Sequence, residues 1–435
     1  MPFQQFLQLW QRPGDLWLAF LPLVTAVTSV SAHESTPSAG RSGQFAALVA
    51  ANALYVGFGA VLGTVQGGLP PVLRQQGHDI GAVGWIYAFY LPFGMAFLWA
   101  HYIDRMRLPV FGHRTGWIVA MQAIAITAIV LVALGGQWPV ALLAGLGFAV
   151  TLAMATMDTA LDAFAVERIE PGRRPLASGL KLAALSTGAM IGNGAFVVFF
   201  SRYGWTTTLL LLAGLMTVLL IPLLAIGERR QSAAAARVSE KPSLLRVLLL
   251  SDRRRRLALV TAVSCVIFPL AGLNRIMLVD IGVPLERIGW VVGTLGPVSM
   301  LLVSFVSMPL MARFGLSVTY LVFSIAGCLS VVLLLLASLL SDGSLAIGGS
   351  ILMGAAISGI YVTLMAKILG WSASDQPATD YAAYYGISRL ASTILTIVAA
   401  QVAGRVDWST FYGVGAVILV VVLLAANPRI FRSEN

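Results

Sequence analysis

The chain has 435 residues, is 58% hydrophobic and only 11% charged, and carries a net charge of +10 with a mean hydropathy of +0.87. A soluble domain is about 45–50% apolar and about 25% charged, so this composition excludes one and predicts an all-α protein of many membrane spans. The basic excess lies in short loops between apolar runs, not on a polar surface interleaved with aromatics, which excludes nucleic acid as a partner.

In chain order, the first apolar stretch is "LWLAFLPLVTAVTSVSA", 16–32. As a helix it reaches only about 25 Å, short of the ~30 Å hydrocarbon core. Val30 and Ala32 resemble a signal-cleavage site, yet little net positive charge precedes the stretch. Residues 1–40 are therefore expected to be an extension outside the core, lying on the membrane or poorly ordered. Twelve apolar segments follow, at 45–66, 80–101, 115–135, 139–165, 176–200, 206–226, 257–279, 288–311, 316–340, 344–370, 381–403 and 410–426. Placing alternate loops on opposite sides puts nineteen Lys and Arg on one side and five on the other, Arg74, Arg202, Arg275, Arg287 and Arg405. That asymmetry predicts cytoplasmic ends for the twelve-span unit.

The longest polar interruption, within 227–256, divides six spans (41–226) from six more (257–426), and 427–435 forms a tail. The loop after span two, "AHYIDRMRLPVFGHRTGW", is echoed after span eight by "PLMARFGLSVTY". Two parallel six-helix halves with a substrate path between them is the major facilitator arrangement.

Charges within the spans are the functional candidates. Asp158 and Asp162 stand four apart in span four, so they share a helix face with Cβ atoms about 5–6 Å apart. Lys181 lies at the matching depth of span five. Two readings stand: a carboxylate that titrates to carry a coupling proton, or a structural clamp between neighbouring helices. Arg389, inside span eleven, keeps its charge and needs an anion or a ring of acceptors. Tyr381, Tyr385 and Arg389 share a face at i, i+4, i+8, which suits an anionic or aromatic-bearing substrate; the alternative is a pair with Asp380. Gln66, Gln122, Asn193, Asn52, Asn274 and Tyr361 are read as helix–helix hydrogen bonds marking inward faces, with Gln66, Asn193 and Tyr361 near enough to the path to be substrate contacts. "GFGAVLG", Gly57 to Gly63, is read as close helix packing.

Cys265 and Cys328 both fall in apolar runs, and neither a metal-ligand spacing nor a disulfide framework can be drawn, so no metal or cofactor is expected. No Gly-x-Ser-x-Gly or His-Glu-x-x-His motif occurs, and the histidines number four, which argues against an enzyme.

The loop "FLWAHYIDRMRLPVFGHRTGWIVAMQ", Phe97 to Gln122, and "MDTALDAFAVE", Met157 to Glu167, resemble a branch of the major facilitator superfamily. The branch holds AmpG-type muropeptide permeases, acetyl-CoA transporters and RhtX/FptX-type siderophore permeases of the inner membrane. The matching positions are Phe97, Leu98, Trp99, Asp104, Arg105, Phe111, Gly112, Arg114, Trp117, Asp158, Asp162 and Ala163. "QPATDYA" and "GLPPVLRQQGHDIGAVGWIY" also look like it. Three departures are His113 for an arginine, Ala100–His101 for a pair that often holds proline, and Ala312 where an acid usually precedes Arg313. The resemblance implies a cytoplasmic loop gate of Asp104, Arg105 and Arg114. Its phrasing around spans one and two is closer to the siderophore permeases, implying a monomeric, proton-driven importer of a ferric siderophore in a bacterial inner membrane, with a muropeptide as the alternative cargo. With no nucleotide-binding motif, the energy must come from an ion or substrate gradient.

Overall fold

The computed structural model describes residues 41–106, 112–136, 138–169, 174–226, 251–371 and 377–431. The expected extension, 1–40, and residues 227–250 of the expected linker lie outside them. All regular structure among the described residues is helical. α1 runs Arg41–Gly63, passes through a π turn at Thr64–Gly68 and ends at Leu69–Gln75. α2 is broken into short pieces from Ile80 to Arg105, with a 3₁₀ stretch at Trp85–Tyr90. α3 is His113–Leu134 and α4 is Val140–Arg168. α5 begins at Arg174 and contains a π turn at Ile191–Ala195; it is joined to α6, which ends at Ala225, across a kink at Gly204. α7 is Ser251–Asp280. α8 begins at Leu285, has a π turn at Ile288–Val292, and meets α9 at a kink at Gly315; α9 ends at Leu340. α10 is Gly343–Trp371, α11 Pro377–Ala403 and α12 Trp408–Phe431.

The two kinks have a simple cause. The apolar run Leu285–Leu340 has 56 residues and Gly179–Ala225 has 47. As straight helices they would extend about 84 and 70 Å, more than twice the ~30 Å hydrocarbon core. Each therefore breaks once, at a glycine with positive φ, 76° at Gly204 and 80° at Gly315. Nine described helices are long and apolar enough to cross a membrane; two of these carry a kink and count double, and α2 completes the expected twelve. The protein is a multi-pass membrane protein.

The helices are apolar on their outer surfaces too: Val140, Leu134, Leu339 and Val417 are all more than 60% exposed. Such a surface suits lipid and would aggregate in water. Inside the first half, α1 and α5 pack with backbones touching, as "GFGAVLG" predicts: a Cβ on Gly59 would sit 2.5 Å from the Leu185 carbonyl, and one on Gly192 2.0 Å from the Ala60 carbonyl. Gln122 donates to the Met216 carbonyl across α3 and α6 at 3.1 Å. Asn52 differs from expectation, since its amide turns back to its own helix at the Leu48 carbonyl.

The halves meet through α1 with α7, α2 with α11, and α5 with α8. Shifting helix numbers by six exchanges the last two pairs, which is what a duplicated six-helix unit predicts. Two cations fall inside helices, where the spans 257–279 and 344–370 place them. Arg275 is on α7, and Lys367, 5% exposed, is within α10. Neither therefore counts as a loop charge, and the asymmetry between the two sides stands.

Candidate functional site

Two groups of side chains stand out between the helices. The first joins α1, α4 and α5. The Lys181 ammonium lies 2.5 Å from Asp162 Oδ1 and 3.6 Å from Asp158 Oδ1. The Tyr55 hydroxyl, on α1, donates to the same Asp162 oxygen, and its ring lies beneath the ammonium, 4.4 Å from centroid to Nζ. Asp162 and Lys181 are thus doubly tied, whereas Asp158 Oδ1 is buried with no hydrogen-bond partner among the described residues. The geometry separates the two aspartates: Asp162 is clamped, and Asp158 holds a free lone pair beside a cation. Two carboxylates and one ammonium sum to −1, and one proton brings the group to neutrality.

Asp158 and Asp162 share a face because four residues nearly complete a helical turn, and Lys181 meets them because α5 packs beside α1 through glycines. Tyr55 was not legible as a member. On sequence it is one of eleven tyrosines in an apolar run.

The second group surrounds a small cavity between the halves, lined by Gln66 of α1, Tyr87 and Tyr90 of α2, Phe268 and Gly272 of α7, and Arg389, Ser392, Thr393 and Thr396 of α11. Its volume of about 40 Å³ holds about two or three waters, so the path is pinched in this state. The Arg389 guanidinium sits 4.3 Å from the Phe268 ring centroid and 5.6 Å from that of Tyr90. Among the described residues no carboxylate pairs with it. The Tyr361 ring packs on Phe268 at 5.1 Å, and its hydroxyl is hydrogen-bonded to Ser264. Gln66, Arg389 and, through Phe268, Tyr361 are thus brought together. Tyr385 is 39% exposed on the same helix as Arg389, outside the cavity lining. The side chains of Tyr381 and Asp104 lie outside the described residues. Asn193 is elsewhere: its backbone and side-chain oxygens accept from Arg275 Nη1. Tyr87, Tyr90 and Phe268 line the cavity without a sequence signal, because an aromatic in an apolar span reads as core.

At the opposite end from the arginine-rich loops, the halves are closed on each other. Arg74 pairs with Asp280 at 2.6 Å, and Trp408 Nε1 donates to the other Asp280 oxygen at 2.8 Å. Arg202 pairs with Glu286. Gln401 donates to the Gly81 carbonyl at 2.7 Å, and the Tyr87 hydroxyl to that of Gly272 at 2.5 Å. At the arginine-rich end, Arg114 Nε contacts Glu167 at 2.9 Å and its Nη1 the Ile103 carbonyl at 3.4 Å, both within the first half; Arg105 is exposed.

Residues 49–277 match the Major Facilitator Superfamily, over half of the chain. An anhydromuropeptide permease of Escherichia coli K12 is 24% identical over 158 residues, covering 35% of this chain and 32% of the relative. An uncharacterized protein of Haemophilus influenzae is 24% identical over 140 residues, 32% and 33% of the two chains. The match thus spans about a third of the length of these curated relatives. Three solved structures share the fold. The nucleoside transporter NupG has a TM-score of 0.62 at 14% identity, covering 89% of this chain and 99% of that one. A bacterial homologue of the lysosomal transporter Spinster, inward-facing and unoccupied, has 0.62 at 14%, covering 91% and 97%. A POT family transporter in complex with 5-aminolevulinic acid has 0.69 at 12%, covering 90% and 96%. With twelve helices in two halves, a cavity between them and a family match across more than half its residues, the chain belongs to the Major Facilitator Superfamily, a superfamily of transporters and not of enzymes.

Proposed function

We propose that this protein is a proton-coupled secondary transporter of a bacterial inner membrane that imports an anionic small molecule, with a ferric siderophore as the first cargo to test. The observation that carries this reading is Arg389: a permanent cation between two aromatic rings, in a cavity shared by both halves, with no carboxylate partner among the described residues. A guanidinium so placed offers bidentate hydrogen bonds to a carboxylate and a flat face to a ring. A siderophore bearing both a free carboxylate and an aromatic ring carries both features.

In this scheme the positively biased loops face the cytoplasm, and Asp158, Asp162 and Lys181 lie toward the inner end of α4 and α5. Proton binding at Asp158 neutralises the cluster and is linked to the rocking of the halves. Asp104, Arg105 and Arg114 form the inner loop gate, with Arg114 bridged to Glu167. Gln66 and Tyr361 contribute to the cargo site, with Tyr385 and Tyr381 on the approach to it. The cavity forms within one chain, so a monomer suffices. The division at 227–256 separates the two moving bodies.

A second reading, import of an anhydro-muropeptide, is favoured by the similarity to the E. coli anhydromuropeptide permease. Its peptide carboxylates would use the same arginine. The test is accumulation in proteoliposomes under an imposed proton gradient, comparing radiolabelled ferric siderophores with an anhydro-muropeptide. Uncoupler-sensitive siderophore uptake is the expected result; uptake of the muropeptide alone replaces the cargo, and uptake of neither, or uptake indifferent to the uncoupler, overturns the reading.

A further inference from the structure

Arg275 stands at the junction of the two halves with an unusual set of partners. It lies three residues beyond Gly272, which lines the cavity, on the same helix. Its Nη1 donates to the Gly67 carbonyl at 2.9 Å and to Asn193 Oδ1 at 3.0 Å, with a longer approach to the Asn193 carbonyl at 3.4 Å. All of these acceptors are neutral, and all belong to the first half, whereas Arg275 belongs to the second. Among the described residues no carboxylate pairs with it.

The surroundings are built to admit this guanidinium. A Cβ on Gly67 would fall 2.1 Å from Nη1 and 2.6 Å from Cζ, so any larger residue there would displace the guanidinium from this seat. Gly67 and Asn193 each sit in a π turn, where the widened helix presents backbone carbonyls sideways. Next to them the halves touch backbone to backbone: a Cβ on Gly293 would meet the Asn193 carbonyl at 2.4 Å.

We propose that Arg275 is an anion-binding residue masked by the closed outer gate: it latches the halves in this state and, when they part, becomes the first cation an incoming carboxylate meets before Arg389. The logic is one of replacement. Opening the outer gate moves Gly67 and Asn193 away together, because both are on the first half, and strips the guanidinium of its acceptors at the cavity roof. An unpaired buried cation is costly, and a carboxylate entering from outside supplies the missing oxygens. Cargo binding and gate closure then compete for one side chain, so occupancy favours the open gate until the anion moves inward. This inference rests on the reading of the cargo as an anion.

The experiment is modification of the full-length detergent-solubilised protein with phenylglyoxal, an arginine reagent, read at each arginine by peptide mass spectrometry. Wild type is compared with Gly293→Leu, which keeps the outer gate from closing, and with Arg74→Ala/Arg202→Ala, which opens it by a different route should the first variant fold poorly. Tricarballylate, a tricarboxylate, is the probe anion. The expected result is Arg275 modified at least tenfold faster in the opened variants than in wild type, and slowed severalfold by tricarballylate. Equal rates in wild type and both opened variants would overturn the latch; faster modification without protection would overturn the anion site. Protection of Arg389 is read in the same digest, so loss of protection there alone counts against the cargo site and leaves the Arg275 result standing.

Discussion

The unequal environments of Asp158 and Asp162 make their substitutions separable. Asp162 accepts from both Lys181 and Tyr55, while Asp158 Oδ1 has no hydrogen-bond partner among the described residues. Asp158→Asn keeps the shape and removes the titratable group, so gradient-driven accumulation should fall to the level of passive equilibration while substrate exchange across the membrane persists. Counterflow and uptake assays on the same preparation check this, and intact accumulation in the variant would sink the coupling role. For Arg389→Gln, loss of a charge-assisted contact costs about 1.5–3 kcal/mol, or about a 10- to 150-fold rise in KM; titrating uptake against cargo concentration tests it. The aspartates, Lys181 and Arg389 were visible in the sequence because charge inside an apolar run is conspicuous. Tyr55, Tyr87, Tyr90 and Phe268 were not, since an aromatic in a span is chemically at home whether it faces lipid, core or cargo.

Among the elements, the α1–α5 contact depends on glycines more than on side-chain fit. A Cβ on Gly188 would lie 2.1 Å from the Val56 carbonyl and 2.7 Å from the Ala60 nitrogen. Gly188→Val therefore forces the helices apart, and overpacking of this kind costs about 1–3 kcal/mol. The expected readout is a clear drop in Tm of the purified protein, with Gly214→Ala, where a Cβ would meet nothing within 4 Å, as the silent control. The "GFGAVLG" run announced close packing, and helix period alone aligned its small residues on one face. Its partner was not legible, because the Gly188 and Gly192 that answer it lie on α5, far along the chain, and only folding brings them together. The π turns at Thr64–Gly68, Ile191–Ala195 and Ile288–Val292 left no signature beyond one or two glycines in each, since one extra residue in a turn hardly alters the hydrophobic pattern.

For the whole molecule, the question is which side is shut and how firmly. Arg74–Asp280 is half-sheltered, with side chains 27% and 18% exposed, and is reinforced by Trp408, whereas Arg202–Glu286 is 54% and 46% exposed and screened by solvent. Arg74→Ala/Arg202→Ala should raise the outward-open population without unfolding the protein, most of the effect coming from the better-sheltered Arg74–Asp280 pair. Spin-label distances between the outer ends of α1 and α7 would report it, and raising the salt concentration should move wild type the same way through the more exposed pair. The sequence by itself determined the membrane environment, the twelve spans, the sidedness expected from its arginines and the intramembrane charges, because each follows from composition or from periodicity within about twenty residues. The tertiary structure alone decided that Asn193 accepts from Arg275, that Asp162 takes hydrogen bonds from Lys181 and Tyr55 while Asp158 Oδ1 has none among the described residues, and which aromatics enclose Arg389. Those outcomes depend on contacts between helices distant in sequence, whose rotation and depth are set by backbone packing at glycines that a linear pattern cannot pair.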